Sequence, residues 1–150
     1  MPKPNPWPYE TTRDLNSFFG APGSVGNLGS INVMGLGVKY EGKAVNSIYC
    51  NKKVGESLLR IIKELSKKHP EVLAEFDGCY NNRNKRGGTT KSLHAYGAAI
   101  DFMASRNGNK TAWPSKATMP VAVMEIFAKE GWLSAGAFWG RDAMHFQATK

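Results

Sequence analysis

The spacing of apolar residues along the chain predicts three helices. The clearest helical periodicity covers residues 54–65, where apolar side chains recur every three or four positions with lysines and glutamates between them. This helix should end near His69-Pro70, because proline disfavours helical geometry in the residue before it. The other two are a short helix from a cap at Thr11 or Thr12 to Gly20 and a helix from Pro120 to Gly131.

Shorter runs, rich in residues that favour strands, predict a small sheet. Val38–Tyr40 and Ala44–Cys50 flank Glu41-Gly42-Lys43, and this arrangement is typical of a hairpin. Two further strands are expected over residues 98–103 and 143–149. Glycine-rich residues 20–37 and the polar segment 83–90 should be loops, the former with short extended pieces.

The order of these elements is mixed rather than alternating between strand and helix. It favours an α+β fold with a small, mainly antiparallel sheet and flanking helices. We see neither a repeat nor a linker, so we expect residues 1–150 to form a single domain. Residues 1–9, with four prolines, should be an extended lead-in on the surface.

Alternation within the last two predicted strands separates polar residues from the core. Asp101 in one strand, and His145 and Gln147 in the other, should leave the apolar face. Such an arrangement suits a metal cleft on the surface of a sheet. The residues expected to face the core are Ile100, Phe102, Met144 and Phe146.

His94, Asp101 and His145 are the candidate metal ligands. Two imidazoles and one carboxylate suit a zinc ion, one per chain, that keeps a coordination position open. A closed structural site would usually recruit cysteine thiolates, whereas Cys50 and Cys79 adjoin neither histidine. An open position indicates hydrolysis rather than a structural role.

The net charge of the chain indicates which classes of partner it favours. Lysine and arginine exceed aspartate and glutamate by 20 to 12, a formal charge of +8, which favours anionic polymers such as nucleic acid, anionic lipid or bacterial cell wall. The sequence has no zinc-finger spacing, no aromatic RNA-binding signature and no continuous basic helix. Nucleic acid is therefore the less favoured partner. Without an apolar run of about 20 residues, no membrane anchor is expected.

The first residues also bear on where the protein is made. They contain no apolar segment typical of a signal peptide, which predicts synthesis in a bacterial cytoplasm. In that compartment Cys50 and Cys79 should remain free thiols. We further expect a monomer.

The residues around the candidate ligands resemble a known family. Ser92-x-His94-x-x-Gly97-x-Ala99-x-Asp101 is followed about 40 residues later by Asp142-x-x-His145. This pattern is similar to that of the zinc-dependent peptidoglycan peptidases. They include D-alanyl-D-alanine carboxypeptidases and dipeptidases, and the L-alanyl–D-glutamate endopeptidases of phage endolysins.

The resemblance is broader than the motifs and looks most like the endopeptidase branch. It spans roughly residues 30–148, including segments 48–54, 78–87 and 144–147. It implies the α+β fold shared with the hedgehog signalling domain and the D,D-peptidases. The implied activity is zinc-dependent cleavage of the L-Ala–D-Glu bond in the murein peptide stem. Such a lysin would act on peptidoglycan after release by a holin or delivery by a phage tail.

The resemblance also implies residue roles. His94, Asp101 and His145 would hold the zinc, and Asp142 matches the general base that takes a proton from water and passes it to the leaving amine. Arg83 matches the arginine that steadies developing negative charge, although Arg86 is close enough to be the true one. By the same resemblance, Ser92 would either contact the substrate or form a hydrogen bond that supports a ligand, and Arg86 would contact the substrate. The aromatic residues Tyr96 and Trp139 are candidates for lining the groove, although aromatic residues are more often part of the core.

Other functions stay open at this point. A D,D-carboxypeptidase or dipeptidase releasing D-Ala would use the same ligands and base. A non-catalytic wall-binding or zinc-binding module would keep the fold without chemistry. Asp142 argues against such a module, because a purely structural zinc site needs no base beside it.

Overall fold

The computed structural model of the protein describes residues 5–150, which form the α+β fold predicted from the sequence. The helices are α1 (Thr12–Phe19), α2 (Gly55–Lys68), α3 (Pro70–Leu73), α4 (Val121–Lys129) and α5 (Ala135–Trp139). The strands are β1 (Leu28–Asn32), β2 (Lys39–Tyr40), β3 (Lys43–Ala44), β4 (Ser47–Asn51), β5 (Phe76–Gly78), β6 (Ala99–Phe102), β7 (Leu133–Ser134) and β8 (His145–Gln147).

The strands form three antiparallel sheets. The largest has four strands in the order β5-β6-β8-β7, so β6 and β8 are its central neighbours. β1 pairs with β4, and β2 pairs with β3. The central pair of the four-stranded sheet brings together chain segments more than 40 residues apart, and both of these segments carry candidate ligands.

The predicted hairpin is only partly correct. Its turn and first pairing are present, with Lys39–Tyr40 opposite Lys43–Ala44. The second run does not continue along this partner. Instead Ser47–Asn51 pairs with Leu28–Asn32 from the glycine-rich segment, over five residue pairs. A two-residue ribbon has little surface to bury, so the longer strand gains more by pairing with β1 beneath α2.

The two longer predicted helices and the N-terminal helix are present. Thr11 caps α1, its side chain accepting a hydrogen bond from the Asp14 amide, and Gly20 follows the helix end. α2 ends at Lys68, just before His69-Pro70, and Pro70 starts the short α3. α4 follows Pro120 as predicted.

The core lies between α2, α4 and the sheets. α2 contacts β1, α3 and α4, and its apolar side is fully buried. Burying a large aliphatic side chain of this kind contributes about 1.5–3 kcal/mol. Phe127 of α4 stacks on Phe146 of β8, with ring centroids 3.9 Å apart. This contact holds β8, and with it His145, against the core.

The lead-in does not lie wholly on the surface, contrary to the prediction. Trp7 is buried, and its indole N–H donates to the carbonyl of Glu130 at 2.8 Å. Its ring also meets Trp132 edge-on, with centroids 6.1 Å apart. The prolines predict an extended backbone, but they do not determine where the large apolar side chain of Trp7 lies. Burying this side chain is favourable, and it draws the segment onto the core. Residues 1–4 lie outside the described part of the chain.

Cys50 and Cys79 are free thiols buried in the core, as expected. Burial raises the pKa of Cys50 to about 11, which keeps this thiol protonated and unreactive at neutral pH. Across residues 5–150, no helix is both long enough and apolar enough to cross a membrane.

Candidate metal centre

The side chains of His94, Asp101 and His145 meet at one point on the four-stranded sheet. Asp101 of β6 and His145 of β8 are register partners, so their side chains stand side by side on the same face. His94 arrives from a short 3-10 helix, Leu93–Tyr96, just before β6. One possible ligand atom from each residue lies within 4.8 Å of the other two. The structure thus brings the three predicted ligands together.

The local chain geometry fixes the orientation of His94. Ser92 precedes the 3-10 helix, and its hydroxyl oxygen accepts a hydrogen bond from the His94 amide at 3.2 Å. The imidazole Nδ1 lies 2.6 Å from the carbonyl oxygen of Cys79. Because a carbonyl can only accept, Nδ1 must carry the proton and donate. The other nitrogen, Nε2, is left with a lone pair that faces Asp101.

Gly97 ends this 3-10 helix in the left-handed conformation, with φ +70°. A Cβ atom here would lie 2.6 Å from the backbone nitrogen of Asn51 in β4. Only glycine allows the chain to pass so close to β4 while turning from His94 into β6. The glycine of the motif is therefore required by packing between two sheets.

A chain of hydrogen bonds orients His145. Its Nε2 lies 2.8 Å from the side-chain oxygen of Gln147, whose amide nitrogen donates to the Thr149 hydroxyl at 2.8 Å. With its nitrogen engaged by Thr149, Gln147 presents its oxygen as an acceptor, so His145 Nε2 carries the proton. Nδ1 of His145 then faces Asp101, 3.1 Å from Oδ1.

This donor set fits a zinc ion. Nε2 of His94 is buried and lies 3.2 Å from Asp101 Oδ2, but the geometry makes no hydrogen bond, so this nitrogen has no hydrogen-bond partner within residues 5–150. A buried nitrogen without a partner is costly unless something else binds it. Two imidazole nitrogens and one carboxylate are the ligands of an open zinc site.

The two histidines dominate the electrostatics of Asp101. Burial by itself would raise the pKa of this carboxyl group, but the neighbouring His145 and His94 side chains outweigh burial and hold its pKa well below the usual value. Asp101 is therefore ionised at neutral pH. A permanently charged carboxylate is the form that binds a divalent cation.

Asp142 lies beside this cluster but outside it. The residue is buried, and its Oδ1 has no hydrogen-bond partner within the described chain. Burial raises the pKa of its carboxyl group, with the charge of Asp101 adding to the effect and His145 opposing it. Its backbone has φ +59°, a left-handed conformation that aspartate tolerates better than most residues. A turn thus places a free carboxylate immediately before β8.

Two clefts meet at the cluster. Arg83, His94 and Asp101 line both of them. The first cleft, about 490 Å³, is bordered by tyrosines, and we call it the aromatic cleft. The second, about 420 Å³, also contains Asp142 and His145 and is bordered by several cations, and we call it the basic cleft. The cluster therefore sits at the junction of a longer groove.

The predicted arginines occupy different places in this groove. Arg83 is half-buried and borders both clefts next to the ligands, whereas Arg86 is exposed and borders only the basic cleft. Arg83 is therefore the better placed of the two to act on a group bound at the junction. Its catalytic role remains a prediction.

Of the other predicted substrate contacts, two lie in the groove and one does not. Ser92 and Trp139 line the basic cleft, and the Trp139 ring stacks on His145 with centroids 5.7 Å apart. Tyr96 lines neither cleft, and its role in substrate binding remains a prediction. Its ring is buried against Phe19, and its hydroxyl donates to Asn16 at 2.6 Å. The 3-10 turn points His94 and Tyr96 in different directions.

The sequence interpretation overlooked the groups that support the ligands. Gln147 and Thr149 were not assigned a role, although they follow His145 at strand spacing and so share its side of β8. Gln147 is buried, and its side-chain oxygen accepts the hydrogen bond from His145. Met144 was expected in the core but borders the basic cleft, because it precedes the first residue of β8. The hydrogen bond between His94 and the backbone carbonyl of Cys79 could not be predicted from the sequence, because every residue has such a carbonyl.

Replacing Gln147 with leucine should weaken zinc binding about 10–100-fold, the usual cost of losing a hydrogen bond that orients a metal-bound histidine. Leucine fills a similar volume but leaves His145 Nε2 without its acceptor. The measurement is the zinc dissociation constant, obtained by competition with a chromophoric chelator. Gln147→Glu retains an acceptor and should keep most of the affinity. Wild-type affinity in a folded Gln147→Leu protein would show that this bond does not orient the ring.

Comparison with known proteins adds one match. A family model described as D-alanyl-D-alanine carboxypeptidase matches residues 86–148, which include the three candidate ligands and Asp142. The match covers less than half of the chain and begins after Arg83. Neither a curated protein nor a solved structure matches the chain. The match, together with the converging His94, Asp101 and His145, supports a metallopeptidase related to this family of zinc-dependent peptidases.

Proposed function

We propose that the protein is a zinc-dependent peptidoglycan hydrolase that cuts the L-Ala–D-Glu bond of the murein peptide stem, as phage lysins do. The observation that carries this proposal is the position of the cluster at the junction of two clefts. An endopeptidase needs room for substrate on both sides of the scissile bond. The volumes of about 490 and 420 Å³ provide that room.

The chain's own residues account for the steps of hydrolysis. When bound by His94, Asp101 and His145, zinc would polarise the scissile carbonyl and lower the pKa of a water molecule towards about 7. The unpaired Asp142 carboxylate accepts a proton from the attacking water and delivers it to the leaving amine. The Arg83 guanidinium, at the junction, donates hydrogen bonds to the carbonyl oxygen as negative charge develops.

A second candidate is a D,D-carboxypeptidase that releases terminal D-Ala. The description of the matching family favours it, and its ligands and base would be the same. A carboxypeptidase needs space for only one residue beyond the scissile bond. Both clefts of this groove are larger than one alanine requires, which favours the endopeptidase.

A non-catalytic wall-binding module is the candidate from another class. Such a module gains nothing from Asp142, because a buried carboxylate without a partner costs stability. Proteins retain strained or unsatisfied groups chiefly where chemistry uses them. The orphaned Oδ1 of Asp142 therefore supports catalysis.

The charge of the chain agrees with a substrate in the bacterial envelope. A formal charge of +8 attracts the protein to anionic wall polymers and raises its local concentration there. We propose peptidoglycan as the physiological partner and the cell wall as the site of action. The proposal includes neither a nucleic acid partner nor a membrane anchor, and it treats the active unit as a monomer.

Digestion of purified murein followed by mass spectrometry tests the proposed reaction. We expect new amino-terminal D-Glu, which only cleavage after L-Ala produces. A strong chelator should abolish the products, and added Zn²⁺ should restore them, because the open site needs its metal. Calcium added in the same amount is the control, since this nitrogen-containing ligand set suits zinc rather than calcium.

Each other outcome has a distinct meaning. Released D-Ala without new amino-terminal D-Glu would establish the carboxypeptidase instead. Binding to murein without any new terminus, at full zinc content, would establish the non-catalytic module.

A further inference from the structure

We infer that the two clefts hold chemically different halves of the substrate. The basic cleft takes the anionic peptide on the amine side of the scissile bond, and the aromatic cleft takes the amino sugar on the acyl side. This inference rests on the proposed function and adds an orientation and two sets of binding residues to it.

The basic cleft contains more cations than its own acids can neutralise. Arg83, Lys85, Arg86 and Arg141 line it. Of the acidic residues there, Glu10 pairs with Lys85 at 3.2 Å, Asp101 is a candidate zinc ligand, and Asp142 lies beside the metal cluster as the proposed general base. Neither Arg86 nor Arg141 forms an ion pair within residues 5–150. Unpaired guanidinium groups bordering a groove favour a ligand that carries carboxylates.

Arg141 is also held in place before any ligand binds. Its Nη1 donates to the backbone carbonyl of Asn109 at 3.2 Å and to the side-chain oxygen of the same residue at 2.9 Å. These bonds leave other N–H groups of the guanidinium available. A cation fixed in this way loses little entropy when it binds a carboxylate.

Asp142 sets the direction of the substrate. It lines the basic cleft, whereas the aromatic cleft does not contain it. The group that delivers a proton to the leaving amine must be on the side from which the amine departs. The amine half of the L-Ala–D-Glu bond therefore enters the basic cleft. This half begins with D-Glu, whose free carboxylate matches the surrounding cations.

The aromatic cleft has the opposite character. Tyr40, Tyr49 and Tyr80 border it, and the rings of Tyr49 and Tyr80 meet edge-on with centroids 5.7 Å apart. Apart from the residues shared at the junction, its only charged side chain is Asp77, which accepts a hydrogen bond from the Ala104 amide. Within the described chain, this cleft has no cation of its own.

Tyrosine rings suit the acyl half of the substrate. L-Ala in murein is attached through a lactyl ether to an N-acetylated sugar, which carries no charge. The C–H faces of a sugar pack against aromatic rings, while phenol hydroxyls form hydrogen bonds with sugar hydroxyl and amide groups. Tyr40 and Tyr49 are 45% and 40% exposed, so their rings are accessible to such a ligand.

Three synthetic substrates separate the two halves. The first is a muramyl tetrapeptide with a free D-Glu carboxylate. The second is the same peptide with an acetyl group in place of the sugar. The third is the muramyl tetrapeptide with its D-Glu carboxylate converted to an amide. kcat and KM are measured for the zinc-loaded wild-type protein and for Arg86→Gln and Tyr49→Leu. Arg13→Gln and Tyr9→Leu are the matched controls, because both residues are exposed and lie outside the clefts.

Each variant should affect one substrate difference. Arg86→Gln should raise KM on the order of tenfold for the carboxylate substrates, as expected for loss of a charge-assisted bond, and much less for the amide. Tyr49→Leu should raise KM several-fold for the muramyl substrate and leave KM for the sugar-free substrate unchanged, about the effect of one aromatic contact. The control variants should behave as wild type with all three substrates.

Other results overturn the inference. If wild type cleaves the L-Ala–D-Glu bond but Arg86→Gln weakens all three substrates equally, or lowers kcat instead of raising KM, Arg86 does not recognise the carboxylate. Equal loss with and without the sugar would remove the role of Tyr49. Failure of wild type to cut this bond in any substrate overturns the proposed function, and the inference with it.

Discussion

His94→Ala and His145→Ala should each reduce bound zinc from about one ion per chain to almost none, and murein hydrolysis should fall to background. Each change removes one of the three proposed zinc ligands, and the two that remain would be too few to retain the ion. The measurement combines metal analysis of the dialysed protein with a murein digestion assay. Bound zinc lowers the pKa of water so that it can lose a proton and attack a peptide bond near neutral pH. Loss of the ion should therefore abolish hydrolysis.

The third histidine provides a matched control. His69 is partly exposed, lies 3.5 Å from Glu71 and is not part of the cluster. His69→Ala should therefore keep both zinc and activity. Melting temperatures of all variants, measured with zinc present, identify any loss that comes from unfolding. Full zinc and activity in both His94→Ala and His145→Ala would show that the metal site is elsewhere.

The sequence was informative about this site because two independent patterns agreed. Strand alternation removed Asp101 and His145 from the apolar face, and the structure places them directly opposite each other on β6 and β8. The motif added His94 at a spacing that a single 3-10 turn bridges. Local sequence patterns were enough to identify the three candidate ligands because each lies on a short regular element. His94 is in the 3-10 helix, Asp101 in β6 and His145 in β8.

Features that depend on distant contacts were not predictable in this way. The pairing of Ser47–Asn51 with Leu28–Asn32 required knowledge of which strand α2 covers. Nothing in the sequence shows that the Tyr96 ring packs against Phe19 and that its hydroxyl donates to Asn16, both of which belong to α1. The 3-10 helix that contains both His94 and Tyr96 directs these two side chains to different parts of the molecule.

The arrangement of the groove was equally inaccessible to sequence reasoning. The basic loop indicated positive charge, but not that Arg83 borders both clefts while Arg86 borders one. The tyrosines of the aromatic cleft come from three segments, around residues 40, 49 and 80. No local pattern connects them, since only the packing of the β2–β3 ribbon and β4 near β5 brings them to one surface.

Asp142→Asn should separate catalysis from metal binding. Hydrolysis should fall on the order of 10²–10⁴-fold, because asparagine cannot accept the proton that a general base removes from water. Bound zinc should remain about one per chain, since His94, Asp101 and His145 are unchanged. The measurement is zinc content, melting temperature and murein cleavage on the same preparation.

Asparagine is the appropriate replacement on structural grounds. Asp142 has φ +59°, and asparagine tolerates this left-handed conformation as well as aspartate does. The melting temperature should hold or rise. Burial raises the pKa of Asp142, and a carboxyl group with a raised folded-state pKa costs stability at any pH above its unfolded-state pKa. Removing that charge at neutral pH therefore removes a cost. Asp14→Asn, at a partly exposed position of α1 that lines neither cleft, is the control and should leave activity unchanged.

The three readouts distinguish the possible roles of Asp142. Loss of activity with full zinc and an unchanged or higher melting temperature identifies the general base. Loss of zinc as well would make Asp142 a ligand or a support for one, despite its position outside the cluster. Retention of both zinc and near-normal cleavage would assign proton transfer to another carboxylate of the groove. Of those, Glu10 borders the basic cleft and Asp77 the aromatic one, so Glu10 would be tested next, since it lies on the side of the leaving amine.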